Sequence, residues 1–533
     1  MWLLGWVPYA VTHLTDPFFA HQLNAPDGVN LMWTPTSLFT GVLVAPVTVI
    51  AGPILAYNVA IVAGLATGAL AAFAALRRYS RGRLGPLVGG AVYGFSPFTV
   101  SHAALHLDLA VMWFPPVVLI LLHEIVARRD RPPWQLGGIL GLVVVLQILT
   151  TEETVATTAI GAAILVAILV AIQPSSVRGL AGRFATTTAV AAVTATILAA
   201  WPLAVQFLGP QRVSARLVDA DVFSTDLLNL VLPTKYQLIA PDAATRISDQ
   251  FSGLFHEANA YIGLPLLVLL VAVAARRWDD LRIRAATIFG ATIFVLSLGP
   301  HLHIGGTSTG WPMPWSIVSS LPLLESLVPS RFTVLLWLAI AVVVTIVIDE
   351  AVRRPRRAAA GRLAAVGLCL VVVLPAPLTS SSTDIPPFFA NWDREGMSST
   401  ATVMIAPFFR DGAGADPMLW AAIARDEPRM PEAYAFVPQP DGSAAYGPAA
   451  TQLTDIMETI QDRGVTVVAR GPVRRQVGVD LAAKGITDVI VGPMVNEGAM
   501  VGFFTDLFGR PPEPVDGVEI WRDVAHTGVA PIP

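Results

Sequence analysis

Two adjacent carboxylates, Glu152 and Glu153, lie between two long apolar runs of this chain. Charged side chains at membrane depth are costly unless they face water, a cation or each other. A carboxylate held in such a place is able to take a proton from a hydroxyl group or to bind a metal ion. The pair is therefore the first candidate for a catalytic site. The alternative is a solvated turn where two helices meet.

A second acidic residue, Asp108, follows closely after His102 and His106. Helical spacing places the three side chains on one side. Histidine and carboxylate groups suit divalent metal ions. We expect Asp108 to be catalytic or to belong to a metal site. The alternative is a polar cap where a helix reaches the membrane surface.

One arginine, Arg331, opens an apolar run directly after the sequence Val-Pro-Ser. A cation at the start of a helix is unfavourable for the helix dipole, so an anionic partner is expected. The guanidinium fork fits the geometry of a phosphate group. The alternative is a salt bridge to Glu152, Glu257 or Glu325.

The long polar segment before residue 260 contains further candidates. Lys235 and Arg212 are secondary candidates for binding a phosphate, because both carry a permanent positive charge at neutral pH. His256 and Glu257 begin the stretch HEANAYIG, which leads into an apolar run. We expect these two residues to line the same cavity as Arg331.

Two aspartates lie close to the start of the chain, in the stretch DPFFAHQLNAPDGVNLMW. Asp27 stands between Pro26 and Gly28, and this triplet is typical of a turn. Asp16 precedes a proline, where it either caps the chain or takes part in chemistry. Asp16 is therefore retained as a candidate catalytic residue and Asp27 as a cavity-lining one.

The composition restricts the class of protein. Hydrophobic residues make up 54% of the chain and charged residues 14%, and the mean hydropathy is +0.63. Soluble domains carry about 25% charged residues, so we predict a polytopic membrane protein. The net charge of −4 excludes a basic nucleic-acid footprint. The chain has a single cysteine, Cys369, and therefore no internal disulfide. The apolar start MWLLGWVPYAV is too short to span and lacks the basic region of a signal peptide.

A membrane-spanning helix needs about 20 apolar residues. Apolar runs bounded by arginine clusters predict about ten spans, near 54–76, 84–101, 107–127, 135–151, 154–173, 184–207, 260–275, 285–300, 332–349 and 361–378. Arginines cluster at every second connection, at 77–83, 128–131, 178–183, 276–284 and 353–362. The positive-inside rule makes these connections cytoplasmic.

The alternate connections then face outward. They are 101–107, 151–154, 208–259, 301–331 and the chain after 378. Residues 1–53 also face outward, because the span 54–76 ends inside. The run 36–52 contains Pro46 and is interpreted as interfacial or re-entrant. One alternative is that this run crosses the membrane; another is that a first span is missing upstream of Met1.

The chain changes character from about residue 385 onward. Short apolar runs at 401–408, 465–470 and 486–493 predict strands, and the segments 448–463 and 498–508 predict helices. No glycine-rich nucleotide fingerprint follows a strand here. We therefore predict three domains: an outer loop with interfacial helices (1–53), a transmembrane domain (54–380) and an extracytoplasmic α/β domain (385–533).

Several stretches resemble polytopic glycosyltransferases of the GT-C superfamily, in particular uncharacterised actinobacterial and related bacterial members. They are NAPDGVNLMW (24–33), VAPVTVIAGPILAYN (44–58), GGAVYGFSPF (89–98), HLDLAVMWFPP (106–116), LQILTTEE (146–153), EANAYIGLPLL (257–267) and LVPSRFTVL (327–335). The likeness covers most of residues 1–350. It implies a mainly α polytopic helical bundle of the GT-C type.

The resemblance also implies a mechanism. GT-C enzymes take a sugar from a polyprenyl phosphate and transfer it on the outer face of the membrane. Their first outer loop follows the first span and carries an essential acidic residue near its start. Residues 1–53 resemble the later part of such a loop, so the first span and that acidic residue have no counterpart here.

The resemblance implies a glycosyltransferase, and the apolar composition places it in the bacterial plasma membrane. Its expected partners are a polyprenyl-phosphate sugar donor, membrane lipids and an envelope glycan or lipid acceptor. No cofactor follows from the residues, apart from a divalent cation such as Mg²⁺ or Mn²⁺. The alternatives are a catalytically silent envelope-assembly or lipid-binding protein and, third, a transporter. A transporter is less favoured because the polar residues gather at the outer ends of spans.

Overall fold

The computed structural model describes residues 1–526, except for 36, 129, 175–177, 214–216, 320, 322–323, 381–382, 399 and 409–415. The chain divides into two compact units. The first contains residues 1–58, 201–215 and 380–533, and the second contains 59–200 and 216–379. The predicted segments 1–53 and 385–533 therefore lie in the same compact unit.

The second unit is built almost entirely from helices, and its core consists of their apolar side chains. The α-helices are Leu84–Gly94, Pro97–Ala103, Leu107–Ala110, Phe114–His123, Pro133–Ile148, Glu152–Ile172, Ala181–Leu198, Asp242–Ser248, Leu264–Arg276, Leu281–Ser297, Trp315–Val318, Thr333–Val352 and Arg356–Val371, with a π-helical turn at Glu124–Arg128. Short 3₁₀ turns occur at Arg178–Leu180, Leu227–Leu230, Phe255–Glu257 and Pro329–Phe332. One antiparallel strand pair joins His301–Ile304 to Thr307–Pro312.

Five helical segments in the described part of the chain are long and apolar enough to cross a membrane. They are Leu38–Leu76, Leu107–Arg128, Glu152–Ile172, Ala181–Leu198 and Pro329–Val352. Three shorter apolar helices accompany them, at Leu84–Gly94, Pro133–Ile148 and Leu264–Arg276. Each of the ten predicted spans overlaps a helix. The mainly helical membrane architecture is confirmed, and the number of spans stays a prediction.

The helix Leu38–Leu76 is interrupted at Gly52, whose backbone has φ 84° and ψ 168°. Glycine adopts this conformation without the steric cost that a Cβ imposes. Pro53 follows at once, and a proline is readily accepted at the first position of a new helix. The break therefore separates the segment 38–51 from the apolar helix that continues to Leu76.

The helix Thr333–Val352 is the most deeply buried long helix in the described residues of the second unit. It packs closely against the helix Leu84–Gly94. Thr345 Oγ1 donates a hydrogen bond to the Gly85 carbonyl at 3.2 Å. A Cβ on Gly89 would lie 2.8 Å from the Ala341 carbonyl oxygen. Small residues of this kind let transmembrane helices approach closely.

The first unit contains a four-stranded sheet. Strand Val403–Ala406 runs parallel to Asp488–Val491, which pairs antiparallel with Val518–Trp521, and Glu513–Val515 forms the edge. The helices of this unit are Trp2–Thr12, the first part of Leu38–Leu76, Ala200–Leu208, Pro387–Ala390, Asp416–Ile423, Gln452–Arg463, Gly471–Ala483 and Glu497–Phe508. Short strand pairs join Phe19–Ala20 to Val29–Asn30 and Phe436–Pro438 to Ala444–Tyr446. Short 3₁₀ turns occur at Leu31–Trp33, Trp392–Arg394 and Val524–His526.

The predicted strand at 465–470 is wrong. The segment has no strand, although the predicted strands 401–408 and 486–493 both contain one. The Ala469 amide donates to the Asp506 carboxylate at 2.6 Å instead of to a neighbouring strand. The apolar side chains of Val465 and Val468 are exposed. A valine-rich run has strand propensity, but it forms a strand only where a partner is available.

Backbone hydrogen bonds tie the start of the chain to its C-terminal part within the first unit. The Ala25 amide donates to the Met430 carbonyl at 2.9 Å, and the Met430 amide donates to the Gln22 carbonyl at 2.7 Å. The Phe436 amide donates to Thr34 Oγ1 at 3.1 Å. These contacts explain why residues far apart in the sequence form one compact unit.

Candidate functional site

A buried ion cluster lies at the start of the helix Thr333–Val352, in the second unit. Arg331 donates from Nε and Nη2 to Glu257 Oε1, at 3.0 Å and 2.7 Å. Its Nη1 donates to Glu153 Oε2. The Arg331 side chain is 16% exposed. The expected anionic partner of Arg331 is therefore a pair of carboxylates within the same unit.

Glu153 lies in the first turn of the helix Glu152–Ile172. A carboxylate is favourable there because the helix dipole is positive at that end. Its second oxygen, Oε1, accepts a hydrogen bond from the Val328 amide at 2.8 Å. The residue thus connects the start of one helix to the segment that precedes Arg331.

Glu257 ends the short turn Phe255–Glu257 and is the most deeply buried acid of the cluster, at 3% exposure. Its Oε2 accepts from Ser330 Oγ at 2.8 Å and lies 3.4 Å from His102 Nε2. Burial alone would raise the pKa of Glu257. The charges and hydrogen bonds of Arg331 and His102 outweigh burial and hold the pKa well below its ordinary value. Glu257 is therefore a stable carboxylate that positions Arg331.

The protonation of His102 follows from its partners. Nδ1 lies 2.8 Å from the Phe98 carbonyl oxygen. A carbonyl oxygen only accepts, so Nδ1 carries a proton. The ring is fully buried. Nδ1 contacts a carbonyl of its own helix, Pro97–Ala103, and Nε2 faces Glu257 in the carboxylate cluster.

Next to His102, the histidines His106 and His256 face each other, with their Nε2 atoms 2.8 Å apart. One ring must donate and the other accept, so only one Nε2 carries a proton. Burial is the main cause that lowers the pKa of His106 to about 3, helped by the charges of His102 and Arg331. Burial also lowers the pKa of His256 to about 4, although Glu257 opposes the shift. Both rings are neutral at pH 7.

Neutral polar residues hold these segments in place. Thr333 Oγ1 donates to Asn259 Oδ1 at 2.5 Å, and Trp337 Nε1 donates to the Asn259 carbonyl at 3.3 Å. Asn229 Oδ1 accepts from the Ala260 amide at 2.8 Å. All these residues are fully buried. They fix the segment that carries His256 and Glu257 against the helix that follows Arg331.

Two further sequence candidates lie close to this cluster. Asp108 is 5% exposed, at the first turn of the helix Leu107–Ala110, and it interacts electrostatically with Arg331 and His102. Lys235 places Nζ 3.6 Å from the centre of the Phe255 ring. This is a cation–π contact. Since Phe255 directly precedes His256, the Lys235 charge lies next to the histidine pair.

The structure does not place every candidate in this cluster. Asp16, Asp27 and Arg212 belong to the first unit. Asp16 Oδ1 accepts from the Phe18 amide at 2.9 Å, which is a local turn contact. Asp27 is exposed before Gly28, whose φ of 79° fits the expected turn, and Arg212 is exposed as well. Glu152 is half-buried beside Glu153. Their catalytic or binding roles stay predictions.

Sequence reasoning did not identify Ser330, Asn229, Asn259 and Thr333. Serine, threonine and asparagine occur throughout the chain, so nothing in their local pattern distinguishes these four. Ser330 and Thr333 lie on either side of Arg331 in the sequence. Their closeness to Arg331 in the sequence is the signal that points to these two residues.

The carboxylates and histidines of the cluster, as the structure arranges them, do not fit a metal ion. Within the described residues, no group of three or more His, Cys, Asp or Glu side chains is arranged to hold one. Glu153 and Glu257 direct oxygens to the Arg331 guanidinium, which occupies the position between them. The divalent cation stays a prediction.

The fold and cluster define a helical membrane protein with a buried group of ionised side chains at helix ends. The chain belongs to the family described as Domain of unknown function (DUF6311), which matches residues 2–374. No curated protein matches the chain.

Among solved structures, arabinofuranosyltransferase AftD from Mycobacteria matches 99% of this chain, with a TM-score of 0.51 and 14% sequence identity. This chain covers 38% of the AftD chain. The oligosaccharyltransferase AglB from Archaeoglobus fulgidus matches 92% of this chain, with a TM-score of 0.45 and 10% sequence identity. This chain covers 65% of the AglB chain. The predicted resemblance to GT-C glycosyltransferases is confirmed for the fold.

Proposed function

We propose that the protein is an integral-membrane glycosyltransferase. It transfers a sugar from a polyprenyl-phosphate donor to a cell-envelope glycan or lipid, at the outer face of the bacterial plasma membrane. The observation that carries the proposal is the buried Arg331–Glu153–Glu257 cluster, in a chain with the fold of a membrane glycosyltransferase. Fold alone is a weak argument for function, so the chemistry must come from the cluster.

The position of the cluster supports the outward orientation. His102 and His106 come from the predicted outer connection 101–107, Glu153 from 151–154, Glu257 from 208–259 and Arg331 from 301–331. Four connections assigned to one side by arginine counting thus contribute to one cluster. A site on that side fits a lipid-linked donor that is used outside the cell. The α/β segment 385–533 is proposed to lie on the same side.

Arg331 is the proposed contact for the donor phosphate. A guanidinium has five N–H donors, and three of them are used in the bonds to Glu153 and Glu257. Two donors are therefore left for a further acceptor. Charged donors held in a buried site stabilise a leaving phosphate far better than water does. Glu153 and Glu257 act as positioning residues that hold the guanidinium. Lys235 is the proposed second cation, and Arg212 remains a candidate in the first unit.

The reaction also needs a group that takes the proton of the acceptor hydroxyl. Glu257 is a poor base because Arg331 and His102 keep its pKa low. Asp108 is the proposed base, since its carboxylate is buried next to these charges. Glu152, half-buried at the start of its helix, is the second candidate.

The test is sugar transfer in membranes that contain the full chain. The probes are radiolabelled polyprenyl-phosphate sugars, including an arabinofuranose donor. Arg331→Ala and Asp108→Asn are expected to lower transfer by 100-fold or more, an order of magnitude typical for lost electrostatic stabilisation. Arg331→Lys is expected to raise KM for the donor, because it loses the fork that matches phosphate.

Asp279→Asn is the matched control. This carboxylate is exposed. It lies in the predicted cytoplasmic connection 276–284, so transfer is expected to continue unchanged. If transfer persists in all the Arg331 and Asp108 variants, the proposed site is wrong.

A catalytically silent role is favoured by one observation. The carboxylates of Glu153 and Glu257 are already satisfied by Arg331, as in a purely structural cluster. In that case no donor is consumed by the wild-type chain. Arg331→Ala would then change thermal stability alone. The transfer assay with wild-type protein thus separates the two functions before any variant is made.

A further inference from the structure

An apolar cavity of about 300 Å³ lies within the second unit. Its walls come from the helices Phe114–His123, Glu152–Ile172, Leu281–Ser297 and Thr333–Val352. Small side chains such as Ala162, Ala285 and Ala339 leave the space open. A cavity of this size and polarity is typical of a small-molecule site.

A polar cavity of about 520 Å³ shares three wall residues, Tyr79, His123 and Arg282, with the apolar one. The two spaces are therefore neighbours. The rest of the polar cavity is lined mainly by charged residues: Arg78, Arg81, Arg353, Asp349 and Glu350. These residues come from helix ends and from the connection 77–83, at the arginine-rich, predicted cytoplasmic side.

The charges of the polar cavity favour an anion. Four arginines line it against two acids. Arg78 and Arg282 pair with Glu124 and Asp280 outside the lining, and Glu350 pairs with Arg277. With these partners included, five arginines face four acids, so an excess of one positive charge remains. The Arg78 Nε is buried without a hydrogen-bond partner among the described residues.

Tyr79 stands at the junction of the two cavities. Its ring makes an edge contact with His123, at 5.2 Å between ring centres. Burial raises the pKa of Tyr79 to about 12, against the opposing charge of Arg78. The hydroxyl is therefore protonated at neutral pH and adds no negative charge to the junction.

We propose that the two cavities form one binding site for an anionic phospholipid. The phosphate headgroup lies among Arg78, Arg81 and Arg282, and an acyl chain lies in the apolar cavity between the helices. Basic pockets between transmembrane helices at the cytoplasmic side bind anionic lipid headgroups. A free phosphate fills the polar cavity only, whereas a lipid fills both.

This lipid site is separate from the proposed glycosyl-transfer site. Arg331 and Glu153 line neither cavity. The helix Thr333–Val352 has 20 residues, so its two ends are about 30 Å apart at 1.5 Å per residue. Arg331 precedes one end and Arg353 follows the other. The lipid site therefore does not rest on the proposed function. An experiment is able to refute the lipid site without refuting glycosyl transfer, and the reverse.

The experiment uses the full chain, purified in a neutral detergent and stripped of native lipid. Binding of dioleoyl phosphatidylglycerol, dioleoyl phosphatidylcholine and inorganic phosphate is measured by native mass spectrometry and thermal shift. Phosphatidylglycerol is expected to bind at least tenfold more tightly than phosphatidylcholine. Inorganic phosphate is expected to bind weakly, because it gains nothing from the apolar cavity.

Two pairs of variants test the two halves of the site. Ala162→Phe fills the apolar cavity, whereas Ala163→Phe changes the neighbouring exposed position of the same helix. Arg81→Glu changes the polar cavity, whereas Arg362→Glu makes the same charge change at an exposed position outside it. The first member of each pair is expected to weaken phosphatidylglycerol binding about tenfold, and the second to leave it unchanged.

Several results would overturn the lipid site. One is equal binding of phosphatidylcholine, which would show that the arginines do not select the headgroup. Another is phosphate binding as tight as that of phosphatidylglycerol. A third is unchanged binding in Ala162→Phe, or an equal loss in both members of a pair. The melting curve of each test variant is compared with that of its control, so a misfolded test variant is recognised.

Discussion

Arg331 and Glu257 are joined by two hydrogen bonds to the same carboxylate oxygen, 3.0 Å from Nε and 2.7 Å from Nη2. The two residues are 74 positions apart in the sequence. Their pairing fixes the turn Pro329–Phe332 against the turn Phe255–Glu257, and each turn precedes an apolar helix. Since both side chains are largely buried, removing either one is expected to affect the stability of the fold as well as the proposed glycosyl transfer.

The first prediction concerns this pair. Arg331→Met leaves Glu153 and Glu257 without their cation in a buried place. Breaking a buried ion pair by removing one partner costs about 3–5 kcal/mol. We expect the free energy of unfolding to fall by this order, measured by denaturant unfolding in detergent micelles.

The matched control for Arg331 is Arg277, whose partner Glu350 lies at the surface. These side chains are 44% and 31% exposed. Exposed pairs contribute about 0–1 kcal/mol, so Arg277→Met is expected to change stability little. Equal losses in the two variants would contradict the importance of burial at Arg331.

The second prediction concerns acidic pH. The folded-state pKa values of His106 and His256 are lowered to about 3 and about 4, from an ordinary value of 6.5. Below pH 6.5 the unfolded chain binds protons that the folded chain does not, so stability falls as the pH falls from about 6.5 towards 4. Glu257 also makes the stability fall at lower pH, because its pKa in the folded state is lowered as well.

His256→Gln removes one of the two titrating rings. The melting temperature of this variant is therefore expected to depend less on pH between 6.5 and 4 than that of the wild type. His13, whose side chain is 45% exposed, supplies the control variant His13→Gln. An unchanged pH profile in His256→Gln would show that the histidine pair does not carry the effect.

The third prediction concerns the close contact between two helices. A Cβ added at Gly89 lies 2.8 Å from the Ala341 carbonyl oxygen and also meets the Thr345 side chain. Gly89→Ala is therefore expected to lower the melting temperature, because the helices must move apart. Gly138→Ala is the control, since nothing lies within 4 Å of its Cβ. Equal stability of both variants would contradict the tight packing.

The sequence indicated the charged members of the cluster because carboxylates between apolar runs, and an arginine at the predicted outer end of a span, are unusual. Arg331, Glu257 and the histidines stood out in this way. It did not tell which of Glu152 and Glu153 binds Arg331. Adjacent residues on a helix point about 100° apart, and only the packing of the helix decides which one faces inward.

The neutral residues of the cluster were hidden for a different reason. Asn259 and Thr333 hold the cluster in place through one hydrogen bond, and the two positions are 74 residues apart in the sequence. Such a contact depends on how the helices pack and leaves no local pattern. The same holds for the grouping of residues 1–58 with 380–533, which depends on backbone contacts such as that between Ala25 and Met430.

The last prediction concerns the orientation of the chain. Arginine counting places residue 81 inside and residues 243 and 455 outside. All three positions are exposed. In a Cys369→Ala background, Ala243→Cys and Asp455→Cys are expected to react with a membrane-impermeant maleimide in intact cells. Arg81→Cys is expected to react only after the membrane is opened. The reverse pattern would place the Arg331 cluster inside, where an outward-facing donor does not reach it, and would reject the proposed reaction together with the topology.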